Sequence, residues 1–246
     1  MMQYATDVNL AARQRLWRIS RREPDLDLFK WVIALVPEGR ALDVGCGNGA
    51  YLAATGAIGM DLSLGMLASA RARASNVLVG ADAQAIPFAS DTFDVVIAPH
   101  MLYHVPDIEL AAREMRRVLR DGGVCVAVTN GETAQRSLKD LVEDVVGNGW
   151  RWMGPSTGRF TVENGAVQLG AGFDSVETVW APDVTFSVTD ADALADYVGS
   201  IADIYEDQAG VAWADVVEEC RHRAAAVIAR DGAFPITGKV GAFVCR

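Results

Sequence analysis

A chain of 246 residues, 51% hydrophobic and 22% charged, is long enough to bury a full core and falls within the range of one α/β domain with an appendage. Its formal charge of -10 opposes a broad phosphate-binding face, which must concentrate Lys and Arg to displace counterions, so nucleic acid is not the default partner. Cys46, Cys125, Cys220 and Cys245 lie far apart with no C-x-x-C pair, which fits a reducing cytosol and excludes both a disulfide framework and a cysteine-ligated metal; no metal is expected.

Residues 1–36 are predicted to be a helical cap over whatever binds at the sheet edge. The stretch MMQYATDVNLAARQRLWRIS has neither the apolar core of a signal peptide nor the roughly 18 apolar residues of a spanning helix, and no such run follows. A cytoplasmic protein, monomer or homodimer, with no membrane insertion is expected. RQRLWRISRR gathers Arg13, Arg15, Arg18, Arg21 and Arg22. Such a cluster suits an anionic substrate or RNA, but a solvated helix face packed through Leu16, Trp17 and Ile19 is the favoured reading.

From about residue 39 to 130, short apolar runs alternate with helical patterns, the rhythm of a parallel sheet. RALDVG (40–45), AIGMD (57–61), VLVGAD (77–82), FDVVIAP (93–99) and GGVCVAV (122–128) read as strands, with helices over 62–73 and 108–119. Cys125 and Cys245, in apolar runs, read as buried small hydrophobes.

Beyond residue 130, segment 132–147 is predicted to be an amphipathic helix, WRWMGPSTGRF an aromatic loop, and FTVENGAVQLGAGF a helix interrupted by glycines. DSVETVWAP and the terminal ITGKVGAFVCR read as two further strands, about seven in all. The expected fold is therefore α/β: a Rossmann-like, mostly parallel seven-stranded sheet with helices on both faces. Its expected parts are the cap (1–36), the core (37–188), a helical insertion or lid (189–231) and a final strand (232–246).

Gly45, Gly47 and Gly49 sit at the first strand-to-helix turn, where ligands bind in such sheets. Without Cβ atoms they permit positive φ angles and a close ligand approach. Gly45-x-Gly47-x-x-Ala50 also satisfies a nicotinamide-cofactor fingerprint, and Asp61, ending the second strand, suits a ribose in either reading. Asp43 in the first strand and Asp82 ending the third discriminate between them. Carboxylates repel a pyrophosphate but attract a ligand carrying an amino group and a sulfonium, which favours S-adenosylmethionine, with S-adenosylhomocysteine as product.

LDVGCGNG, GMDLSLGML, ADAQAIPFASDTFDVVIAPHMLYHVPD and VLRDGGVCVAV, in this order across about 40–130, resemble the class I S-adenosylmethionine-dependent methyltransferases, in particular the ubiquinone and menaquinone biosynthesis subgroup. The resemblance implies that Asp43 and the loop Gly45, Cys46, Gly47 and Gly49 hold the methionine portion, and that Asp61 binds the ribose hydroxyls. It implies too that Leu62 packs on adenine, that Asp82 and Ala83 meet the adenine edge, and that Pro99 and His100 lie beside the reactive end. For Asp82 the plain alternative is a turn or helix cap.

Methyl transfer from a sulfonium needs alignment of donor and acceptor, and a base only where the acceptor must lose a proton. His100, Tyr103 and His104 cluster after the fourth strand and are the catalytic candidates; the structural alternative is a histidine bonded to loop backbone. His222 reads as an ordinary helix residue. Trp150, Trp152, Met153 and Phe160 either shape an apolar acceptor pocket or anchor a long loop. The leading reading is a methyltransferase acting on O, N or C of a small-molecule acceptor. The alternatives are an RNA methyltransferase, a nicotinamide-nucleotide oxidoreductase and a non-catalytic cofactor-binding module.

Overall fold

The computed structural model describes residues 8–152 and 158–246. In chain order the first elements are α1 (Val8–Ile19), β1 (Arg21–Glu23), α2 (Leu28–Leu35), β2 (Ala41–Val44), α3 (Leu52–Thr55), β3 (Ile58–Asp61) and α4 (Leu64–Arg71). Then come β4 (Leu78–Gly80), β5 (Phe93–Pro99), α5 (Ile108–Val118), β6 (Leu119–Asn130), α6 (Arg136–Val146) and α7 (Gly165–Leu169). The chain closes with β7 (Val176–Trp180), β8 (Val184–Val188), α8 (Ala191–Gly199), α9 (Ala202–Ala209), α10 (Trp213–Asp231), β9 (Phe234–Gly238) and β10 (Val240–Cys245).

These elements form two compact units. One comprises Asp27–Glu132, Gly158–Ala181 and Val240–Arg246 and carries a seven-stranded sheet in the order β4-β3-β2-β5-β6-β10-β7. β2 to β6 pair in parallel, and β10 runs antiparallel to both β6 and β7. β5 is a near-continuous apolar run because both its faces are covered, and β10 is buried along its whole length between two neighbours. α5 buries Ile108, Ala111, Ala112, Met115 and Val118, one face at helical spacing, and starts where the Asp107 side chain accepts the Leu110 N–H at 2.8 Å. Ser63 caps α4 in the same way. Cys125 and Cys245 face one another in register across β6 and β10, fully buried.

The other unit draws on Met1–Leu26, Thr133–Thr157 and Pro182–Lys239. It contains an antiparallel sheet in the order β1-β8-β9, with α1 against α8 and α10 against α6 and α8. Arg15 forks to Asp190 at 3.1 Å and Asp196 at 2.6 Å, while Trp17 packs against Phe186 and Tyr197. Trp150, Trp152, Tyr205 and Trp213 form one ring cluster, tied by the Trp213 indole N–H to the Val198 carbonyl.

This small sheet was not foreseen. β1 (RRE) has no apolar alternation to announce a strand and takes its place by pairing with β8. Residues 184–188, expected in the core, pair with β1 and β9 instead, and the units divide after Leu26, Glu132, Thr157, Ala181 and Lys239 rather than at 36, 188 and 231. The terminal run expected as one strand breaks at Lys239 into β9 and β10, which belong to different sheets. In FTVENGAVQLGAGF only Gly165–Leu169 is helical, because Asn164 Oδ1 accepts the Thr161 N–H in a tight turn first. Among the described residues no helix is long and apolar enough to cross a membrane.

Candidate active site

The first turn of the large sheet is built on three left-handed glycines, Gly45, Gly47 and Gly49, with φ of 69°, 54° and 80°. A Cβ on Gly45 would lie 2.7 Å from the Met101 Cβ, so the bare backbone is what lets the turn close against the segment after β5. The N–H groups of Gly45 and Cys46 donate to the Met60 carbonyl at 2.7 and 2.9 Å, and that of Gly47 donates to Asp61 Oδ2 at 2.8 Å. A phosphate cradle needs such N–H groups pointing at the ligand. Here they are spent on the protein, which removes the basis for the nicotinamide-nucleotide reading.

Asp43 lies two residues before Gly45, fully buried, and neither carboxylate oxygen has a hydrogen-bond partner among the described residues. Burial, and then the negative charge of Asp61, hold its pKa well above the usual carboxylate range. The Cys46 thiol is pushed up by burial and by the Asp43 and Asp61 charges, and the Tyr51 phenol by burial and the charges of Asp43 and Asp27. Tyr51 stacks on Phe29 at 4.9 Å. An orphaned carboxylate is costly in isolation, and a cationic, hydrogen-bond-donating group would offset that cost.

Asp61 ends β3 and accepts the Gly47 N–H on one oxygen and the Ser63 N–H on the other, both at 2.8 Å. Burial raises its pKa, and these backbone donors partly offset the rise. Leu62, next in sequence, is 53% exposed and offers an open apolar surface. Asp82 is engaged by Gln84, whose N–H reaches Oδ1 at 2.9 Å and whose side-chain amide reaches both oxygens at 3.1 Å. Ala83 beside it is buried.

At the far side of the turn, Pro99 ends β5, and His100 takes a left-handed backbone, φ 55°, with its N–H on the Val128 carbonyl at 2.8 Å. Burial lowers the His100 imidazole to about 4. Tyr103 and His104 lie on one 3₁₀ turn, Leu102–His104, with rings 4.5 Å apart. Arg159 clamps the end of this turn, donating to the Val105 and Pro106 carbonyls at 2.9 and 2.8 Å.

The structure thus joins Asp61 and the glycine loop through hydrogen bonds and packs that loop against the segment of His100, Tyr103 and His104. Sequence reasoning missed Gln84 and Arg159. Gln84, two residues past Asp82, stands at the spacing of an Asx-type turn, whereas nothing around Arg159 signals its role. Met153 lies outside the described residues. Trp150 and Trp152 pack among the rings of the smaller unit, and Phe160 packs on Phe243 in the larger one. Among the described residues no group of three or more His, Cys, Asp or Glu side chains is placed to hold a metal ion.

Residues 42–127, which include Asp43, the glycine loop, Asp61, Asp82 and the segment of His100 to His104, match the methyltransferase domain family. Over these residues the chain is similar to class I S-adenosylmethionine-dependent methyltransferases. A protein of Encephalitozoon cuniculi described only in general terms as a methyltransferase is 36% identical over 132 residues, 52% of this chain and 60% of its own. Demethylmenaquinone methyltransferase of Roseiflexus castenholzii is 34% identical over 111 residues, 41% of this chain and 47% of its own. The crystal structure of an S-adenosylmethionine-dependent methyltransferase of Thermotoga maritima is similar at 27% identity with a TM-score of 0.50, over 61% of this chain and 71% of its own. The chain spans about half the length of the curated relatives it matches. The cofactor of this domain type is S-adenosylmethionine, and the unpartnered Asp43 carboxylate beside a cradle without Cβ atoms fits a ligand with an amino group and a sulfonium.

Proposed function

We propose that the methyltransferase domain acts on a small-molecule acceptor, methylating O, N or C. One observation carries the cofactor side of this reading: a fully buried carboxylate, Asp43, with both oxygens unpartnered among the described residues, at a turn whose first N–H groups are already spent. Bound there, S-adenosylmethionine supplies an electrophilic methyl on a sulfonium, which an acceptor lone pair takes as the carbon–sulfur bond breaks.

The chain's own residues do the rest. Asp43 and the Gly45–Gly49 loop hold the amino-acid end, Asp61 accepts from the ribose hydroxyls on lone pairs left over from its two backbone donors, and Leu62 covers the adenine face. Asp82 and Ala83 meet the adenine edge, and Pro99 and His100 flank the reacting end. His100, neutral above about pH 4, accepts a hydrogen bond from an acceptor O–H or N–H and so orients its lone pair. Its low basicity suits it to positioning more than to proton abstraction, for which a pKa near the working pH is best. Where the acceptor must lose a proton, His104, with Tyr103 against its ring, is the better candidate.

A small acceptor is supported by relatives named demethylmenaquinone methyltransferase and by the net charge of -10, while Arg15 of the basic stretch is engaged with Asp190 and Asp196. The test is transfer of labelled methyl from S-adenosylmethionine into a cell extract separated into small-molecule, RNA and protein fractions. Label is expected among the small molecules. Label confined to nuclease-sensitive material would overturn the reading in favour of RNA, and cofactor binding without any transfer would point to a non-catalytic module.

A further inference from the structure

We infer that Gln84 is a positioning residue that aims the Asp82 carboxylate at the adenine amino group and couples that subsite to α5. This rests on the S-adenosylmethionine reading of the site and extends it to a residue to which that reading gives no ligand contact.

Gln84 is pinned from both ends. Its amide nitrogen lies 3.1 Å from each Asp82 oxygen, and its amide oxygen accepts the Asp107 N–H at 3.0 Å. A carboxylate can only accept and a backbone N–H can only donate, so these two partners fix which way round the amide sits. Asp107 is the residue that caps α5. The same strand-end segment is fastened to α5 further along: Glu114 accepts the Ile86 N–H at 2.9 Å, and Arg117 donates to the Ile86 and Phe88 carbonyls, both at 2.8 Å. With its backbone N–H also on Oδ1, Gln84 leaves Asp82 one orientation, and the lone pairs it does not occupy form an acceptor of defined direction. An adenine amino group donates to such an acceptor; a 6-oxo purine presents an oxygen in its place and is repelled.

The experiment compares binding of S-adenosylhomocysteine and its deaminated analogue, S-inosylhomocysteine, by calorimetry in the full chain and in two variants. Gln84→Glu keeps the acceptor facing Asp107 but sets a second carboxylate against Asp82; Gln84→Ala removes both contacts. The parent protein is expected to prefer the amino form by about tenfold or more, the scale of one hydrogen bond to a charged group. In Gln84→Glu that preference should collapse towards unity as S-adenosylhomocysteine binding weakens, and Gln84→Ala should shift the same way. A merely structural Gln84 would weaken both ligands equally and leave their ratio intact. An intact ratio in either folded variant, or a parent protein that binds both ligands equally, overturns the inference. A parent protein that binds neither ligand overturns the cofactor reading itself.

Discussion

Gly47 donates its backbone N–H to Asp61 Oδ2 at 2.8 Å, so the carboxylate assigned to the ribose is also a strut of the glycine loop. Removing it costs twice, once in ligand contacts and once in the loop that shapes the cradle. Asp61→Ala is therefore expected to weaken S-adenosylmethionine binding by at least about 1.5–3 kcal/mol, the range for hydrogen bonds to a charged acceptor. Calorimetric affinity equal to that of the parent chain would reject the ribose assignment.

Asp43 makes the opposite prediction for stability. Its folded pKa is raised, so the native state is favoured while the group is protonated, and this advantage is lost as pH rises through that raised value. Asp43→Asn removes the buried charge, so the ligand-free protein should become more stable at neutral pH by about 1 kcal/mol or more, some 2–4 °C in melting temperature for a chain of this size. The gain should shrink as pH falls towards about 4, where the parent carboxyl is itself neutral. The same variant should bind S-adenosylmethionine more weakly. A variant that loses stability at pH 7 while keeping affinity would show that Asp43 is a structural carboxylate.

The large sheet was readable because each parallel strand is an apolar run closed by a turn residue, as in FDVVIAP, and because α5 carries its buried face at regular spacing. The placement of the glycines and Asp43 at the first turn was readable because a strand-to-turn junction is local in sequence. β1 was not, since three polar residues become a strand only through pairing with β8, more than 160 positions away in the chain. Gln84 and Arg159 were hidden for the same reason: their partners, Asp107 in one case and Val105 with Pro106 in the other, are brought to them by the fold. The break at Lys239 follows a change of sheet, which periodicity within a single apolar run does not encode.

Two glycines with nearly the same backbone separate conformational strain from close packing. Gly45 and Gly56 have φ of 69° and 65°, but a Cβ on Gly45 would meet Met101 at 2.7 Å, whereas one on Gly56 would meet nothing within 4 Å. Gly56→Ala should cost about 1–2 kcal/mol, the left-handed penalty alone. Gly45→Ala should add roughly 1–3 kcal/mol of overpacking and displace Met101, carrying the neighbouring His100 with it. Chemical denaturation of both variants checks the difference, and equal costs would mean that the turn and the segment after β5 are not in contact in solution.

His100 gives the chain an acid-side instability of its own. Its imidazole titrates near 4 in the folded protein against about 6.5 for an ordinary histidine, because burial disfavours the charged form. Its contribution to stability is complete above about pH 6.5 and is lost as pH falls from there to about 4, since over that window the unfolded chain takes up a proton that the native state refuses. Below about 4 both states are protonated and the loss stops growing. The full shift corresponds to about 3 kcal/mol, and the part of the residue that reaches solvent reduces it. Asn tolerates the left-handed backbone of this position, so His100→Asn should fold, flatten the stability profile between about pH 6.5 and 4, and leave cofactor affinity largely unchanged while turnover falls. Unfolding measured across this pH range in both proteins decides the point: parallel profiles would mean that the imidazole is open to water, and the positioning role given to it would go with that burial.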